Sequence, residues 1–132
     1  MYSAKRQLGN IGEDVAINKL KSDGFVILSR NFLKKWGEID IVARGTDGLV
    51  HFIEVKSVSR RTSNLKRQGD VTHETYRPEE NVTREKLLKL ERVIQSWLLE
   101  HNYEGEWQID IASVALDTTR RVGRVEMIWG VY

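Results

Sequence analysis

The chain contains no cysteine. That absence excludes a disulfide framework, a zinc–thiolate site and a thiol nucleophile, and it agrees with a reducing compartment. Proline occurs once, at Pro78, inside a polar stretch with neither helical nor strand periodicity. No apolar run reaches membrane-spanning length, and Met1-Tyr2-Ser3-Ala4-Lys5-Arg6 leads into polar residues with no apolar signal core. The expectation is a cytoplasmic protein without a membrane partner. A Gly-rich phosphate loop is also missing, which argues against a nucleotide-binding enzyme built around one. The three histidines, His51, His73 and His101, fall in separate elements without ligand spacing, so they support neither zinc nor a catalytic triad. There is no repeat, low-complexity tract or linker to mark a second domain. At 132 residues the chain suits one domain over 1–132, able to bury on the order of two-thirds of its unfolded surface.

A formal charge of +2 makes no case for a nucleic-acid partner by itself. Its distribution does. Between Val55 and Gly69 the chain carries Lys56, Arg60, Arg61, Lys66 and Arg67 and not one acid. Neutralising a phosphate backbone needs that kind of local surplus.

Periodicity predicts a helix from about Gly9 to Asp23, with Ile11, Val15, Ala16 and Leu20 on one face and Gly24 as the stop. Strands follow at about Phe25–Phe32, Glu38–Ala43 and Leu49–Val58, joined by turns at Lys34–Gly37 and Gly45–Gly48. Residues Ser59–Asn81 read as a long polar loop, a length that points to a functional segment. A second helix covers Val82 to about His101, and strands at Trp107–Leu116 and Gly123–Trp129 complete the chain. The three early strands make an antiparallel meander. The helical crossover places the fourth strand parallel to the third, with right-handed connection. The predicted fold class is α/β, with three layers and a mixed five-stranded sheet.

Chemistry concentrates between Gly37 and Lys56, where Gly-Glu-Ile-Asp-Ile-Val and Phe-Ile-Glu-Val-Lys flank the Gly45-Thr46-Asp47-Gly48 turn. Strict alternation puts Glu38 and Asp40 on one side of their strand and Glu54 and Lys56 on one side of the next. Two carboxylates about 4 Å apart repel by roughly 4 kcal/mol at an effective dielectric near 20, and a bound divalent cation reverses that sign. Hard oxygen ligands suit Mg²⁺ or Mn²⁺, which take part of their shell from substrate phosphate. Phosphodiester hydrolysis is the implied reaction. An Asp and a Glu-x-Lys on adjacent strands would otherwise describe solvated surface charge. Here Ile39, Ile41, Phe52, Ile53 and Val55 indicate a sheet covered on both faces, where unpaired acids need a purpose.

Asp40 followed by Glu54-Val55-Lys56 resembles the PD-(D/E)xK phosphodiesterase superfamily, the restriction-endonuclease-like fold that includes Holliday-junction resolvases. Gly12-Glu13-Asp14, Arg30-Asn31-Phe32, Gly37–Val42, Phe52–Lys56, Lys86 and Ile109-Asp110-Ile111-Ala112 together resemble the YraN-like family of predicted endonucleases. The resemblance spans nearly the whole chain. It departs at 59–81, which is hard to align, and at the Trp129-Gly130-Val131-Tyr132 ending; no proline precedes Asp40.

The resemblance implies Glu13, Asp40 and Glu54 as catalytic metal ligands, with the Val55 carbonyl as a further ligand. Lys56 orients or activates the attacking water, or stabilises charge on the phosphate; its structural alternative is to neutralise Glu54 or Asp40. Asp14 points some 100° around the helix from Glu13, so only one faces the site, and Glu13 is the choice. Glu38, at a strand end beside a glycine, is expected to pair with a nearby base in a supporting role. Lys86 and Asp110 look out of place on apolar surfaces. Either they pair with each other, or Lys86 contacts substrate phosphate. Arg60, Arg61, Lys66 and Arg67 are backbone-binding candidates. Trp36 and Tyr76 offer faces for an unpaired base, although a turn tryptophan more often caps a core edge. The substrate implied is DNA before RNA, branched DNA by analogy with resolvases, and a homodimer would suit symmetric cutting of two strands. The rival is a noncatalytic nucleic-acid-binding or assembly module that keeps the fold.

Overall fold

The computed structural model describes residues 4–60, 83–117, 119 and 122–131, with the side chains of the first segment described from 9 to 58. In chain order the elements are α1 (Ala4–Ser22), β1 (Val26–Lys34), β2 (Gly37–Arg44), β3 (Val50–Arg60), α2 (Arg84–Glu100), β4 (Trp107–Asp117) and β5 (Val122–Ile128). The sheet order is β1-β2-β3-β4-β5. Neighbours pair antiparallel except β3 and β4, which run parallel over eleven register pairs from Val50↔Trp107 to Arg60↔Asp117. Meander, crossover and mixed sheet are as the sequence predicts.

Alternation along the central strands sorts the core into two layers. Ile41, Ala43, Ile53, Ala112 and Val114 pack beneath Ala16, Ile17 and Leu20 of α1. Their neighbours Val42, Phe52 and Ile109 pack on the other face against Val93, Ile94 and Trp97 of α2. Phe52 is the pivot of that second layer, meeting the rings of Trp97 and Trp107 edge-on at 5.4 and 5.5 Å. The sheet is therefore covered on both sides, a three-layer α/β/α arrangement.

Helix ends differ modestly from expectation. Gly9 lies inside α1, because Ala4 to Leu8 extend the helix backwards. At the other end Gly24, at φ 93°, closes the helix as expected: the Phe25 N–H returns to the Leu20 carbonyl at 2.9 Å. Thr83 caps α2, its hydroxyl accepting the Lys86 N–H at 3.1 Å. The β2–β3 turn holds through Gly48 at φ 86° and the Leu49 N–H donated to Asp47 Oδ1 at 2.9 Å. No described helix is long and apolar enough to cross a membrane.

Of the two readings open for Lys86 and Asp110, their mutual pairing is not the arrangement found for Asp110. Asp110 is fully buried and does not look to α2; its Oδ2 lies 2.7 Å from His51 Nδ1, while Oδ1 accepts from Gln108 Nε2 and the Gly130 N–H, each at 2.7 Å. The reason is register. Asp110 stands beside Ile53 in the parallel ladder, at the hairpin end of the sheet, where His51 is also placed. Lys86 lies on the first turn of α2 beside a cleft described below. The carboxylate thus ties β3, β4 and the C-terminal segment together. Asp110→Ala strands the buried His51 imidazole and leaves two further donors without their acceptor, and is expected to cost ~3–5 kcal/mol in urea denaturation, against under about 1 for Lys86→Ala. Equal costs would restore the Lys86–Asp110 pairing.

Candidate functional site

The site begins where the sheet forks. The β2–β3 ladder runs only from Arg44↔Val50 to Ile41↔Ile53, although β2 stays paired with β1 as far as Gly37 and β3 with β4 as far as Arg60. Beyond Ile41 the two strands part. The Val55 N–H is met there by a side chain: Asp40 Oδ2 accepts it at 2.7 Å.

Asp40 reaches that position because the strand turns locally. Ile41 packs in the α1 layer and Ile39 in the α2 layer, whereas regular alternation would keep both on one face. The partner strand turns with it. Arg30 pairs with Ile41 and Phe32 with Ile39, and Asn31 between them sits at φ 55°, in the left-handed region that asparagine tolerates. Strict alternation therefore fails for Asp40. Glu38 shares a cleft with Glu54 and Lys56, but Asp40 points into the gap between strands. An asparagine inside a strand pattern was the available signal.

Glu13 arrives from α1. Gly12 allows it, since a Cβ at that position would fall 1.8 Å from Ser57 Oγ and 3.8 Å from a Val55 methyl. The helix lies directly on β3 there. Glu13 is 9% exposed and accepts from Arg30 Nε at 3.2 Å, while the exposed Asp14 takes Arg30 Nη1 at 2.7 Å. The choice of Glu13 over Asp14 agrees with this burial. Arg30, quoted in the sequence motif but given no role there, also donates to the Asn10 carbonyl at 3.3 Å and so locks the start of the acidic turn to β1. Burial works against its charge; hydrogen bonds and charge from Asp14, then Glu13, still leave its pKa raised.

Electrostatics converge on Asp40. Its pKa is pushed up to about 7, first by burial and then by the charges of Glu13, Glu54 and Glu38, against the lowering effect of the Val55 N–H. Among the described residues no three His, Asp or Glu side chains already form a group that could hold an ion. Each acid is instead held by a protein partner: Asp40 by Val55, Glu13 by Arg30, and Glu54 by Lys56 Nζ at 3.6 Å.

Beside the fork, on the α2 side, opens a cleft of about 320 Å³. Glu38, Glu54 and Lys56 form its sheet wall, Lys86 and Lys89 its helix wall, and Trp36, Gly37, Leu90 and Val93 its base and edge. Lys89, absent from the sequence candidates, follows Lys86 by one helical turn. Trp36 is half-buried with Arg92 over its ring at 4.4 Å, so that face serves the core edge. Arg61, Lys66, Arg67 and Tyr76, and the side chain of Arg60, lie outside the described residues.

The two helical layers and the five-stranded mixed sheet between them define a three-layer α/β/α protein. A family model described as "Uncharacterised protein family UPF0102" matches residues 12–114, a span that includes Glu13, Asp40, Glu54, Lys56, Lys86 and Asp110. A UPF0102 protein of Campylobacter jejuni is 38% identical over 109 residues, 83% of this chain and 84% of the relative. Another, from Campylobacter fetus, is 34% identical over 114 residues, 86% and 88% of the two chains. One from Beutenbergia cavernae is 37% identical over 129 residues, 97% and 98%. The chain belongs to the UPF0102, or YraN-like, family.

The Asp40 shift has a stability consequence. An ordinary carboxyl, at 3.8, is ionised in the unfolded chain well before Asp40 ionises in the fold, so the metal-free protein loses stability as pH rises from about 4 through about 7. Above that window the penalty is complete, at most roughly 4 kcal/mol. Asp40→Asn keeps an acceptor for Val55 and removes the charge. In chelator it is expected to be more stable than wild type at pH 8 and equal to it near pH 4; urea denaturation showing no such divergence contradicts the assignment.

Proposed function

We propose that this protein is a divalent-metal-dependent endonuclease that hydrolyses DNA phosphodiester bonds. The observation that carries the proposal is the strand fork, where a half-buried Asp40 is held by the Val55 N–H within the field of Glu13, Glu54 and Glu38, with Lys56 alongside. A half-buried carboxylate surrounded by others, its pKa raised, is a place that gains from a cation.

The donor set fits Mg²⁺ or Mn²⁺ in kind, being oxygen only and free of cysteine and imidazole. Glu13, Asp40 and Glu54 would hold the ion, with the Val55 carbonyl as a further ligand. A bound ion supplies Lewis-acid stabilisation of the phosphoryl oxygen and of the attacking water. The chain's own residues do the rest. Val55 fixes Asp40 by its N–H, Arg30 fixes Glu13, and Gly12 lets α1 approach closely enough to present it. Lys56, 3.6 Å from Glu54, orients the nucleophile or meets charge developing on the phosphate.

The rival module reading draws on one observation, that the three acids are engaged with protein partners rather than grouped as a ligand set. Cleavage of branched, nicked and single-stranded DNA in Mg²⁺, Mn²⁺ and chelator decides between them. Wild type is expected to cut only with metal, and Glu54→Gln and Lys56→Ala to lose at least about a hundredfold in rate. Mn²⁺ should raise the melting temperature of wild type and not of Asp40→Asn. Binding without cleavage under all conditions favours the module.

A further inference from the structure

We infer that the cleft between the β1–β2 turn and α2 holds one unpaired nucleotide adjoining the scissile phosphate, so that the substrate carries a single-stranded segment at the cut. The inference rests on the nuclease reading for the word scissile, and on the cleft itself for the rest.

The cleft and the acid site are continuous, since Glu54 and Lys56 belong to both. A strand whose phosphate lies at the fork passes next between the sheet and α2. There Lys86 and Lys89, one helical turn apart, present two ammonium groups to the same opening. Lys89 is two-thirds exposed, and Glu85, with which it pairs at 3.6 Å, is more exposed still. Such a solvated pair is weak and yields readily to a phosphate. Three lysines and two glutamates line the opening, and Arg92, stacked on Trp36, adds a cation behind the wall.

Shape selects a single strand. A volume of about 320 Å³ takes roughly twenty non-hydrogen atoms at organic packing density, one nucleotide unit and not a base pair. At the base of the cleft the turn rests directly on the helix: a Cβ on Gly37 would lie 2.9 Å from a Val93 methyl. Apolar Leu90 and Val93 line the floor, which suits a sugar or base edge better than water. Trp36 at the edge places an indole beside whatever enters.

Binding in chelator tests this separately from catalysis. The probe is an oligothymidylate about ten nucleotides long, compared with a blunt duplex hairpin of equal phosphate number and with thymidine monophosphate. The single strand is expected to bind more tightly than the duplex and to change tryptophan emission, a change lost in Trp36→Phe. Lys89→Ala should weaken it at least fivefold and lower the salt slope by about 0.7, the value for one phosphate contact on a single strand. Lys19→Ala, at an exposed lysine paired with Asp23, is the control and should do neither. Equal behaviour of the two lysine variants, duplex binding as tight as the single strand, or competition by the monophosphate as strong as by the oligonucleotide overturns the inference. Lys89-dependent binding without cleavage in Mn²⁺ leaves the cleft assignment standing and sinks the nuclease reading instead.

Discussion

The hydrogen bond from the Val55 N–H to Asp40 Oδ2 organises the candidate site. A sheet strand that leaves its neighbour must satisfy the backbone groups it abandons, and buried N–H groups without partners are rare. Here the abandoned donor is met by a carboxylate. That single substitution of side chain for backbone partner draws Asp40 into the interior, and burial then makes its charge expensive. Glu13 and Glu54 raise the expense from either side, one carried by α1 and the other by β3. Much of the local structure keeps those acids in place: Arg30 across from Glu13, Gly12 at the helix–strand contact, Asn31 at the twist that aims Asp40.

Such an arrangement is hard to explain as stabilisation. Removing the acids in favour of well-packed neutral residues would relieve repulsion in a chain that otherwise sorts its apolar and polar groups with little conflict. The two core layers alternate regularly along β3 and β4, and the buried acid at the opposite end of the sheet, Asp110, has three partners for its two oxygens. Comparison of Asp110 with the half-buried Asp40 is instructive. Asp110 is satisfied by imidazole, amide and backbone donors, whereas Asp40 has one backbone donor and three acidic neighbours. Local rules are broken at the fork and kept elsewhere, the pattern expected of a functional site.

Most of the architecture was legible in the sequence because it rests on short-range regularities. The apolar runs around Ile39–Val42 and Phe52–Val55, the Gly45–Gly48 turn and the two apolar helix faces sufficed for the meander and the parallel crossover. Glu13 was legible through the resemblance and through helical geometry that sets it apart from Asp14. What escaped depended on register between distant segments. Nothing local says that Asp110 will stand beside His51, because that follows from eleven parallel pairs counted from Val50 and Trp107. The turn of β2 at Asp40 depends on the left-handed Asn31 across the ladder. Lys89 acquires meaning only once the β1–β2 turn is known to lie against α2. Alternation is a rule about one strand, and each of these is a fact about two.

A crystal grown without divalent metal and soaked in Mn²⁺ above pH 7 tests the central claim most directly, through the anomalous difference map. The account expects one dominant peak in the fork, with Asp40 and Glu54 among the oxygens that touch it and Glu13 released at least in part from Arg30. A peak at other residues, or none at saturating Mn²⁺ with Asp40 still held by Val55 alone, would contradict it.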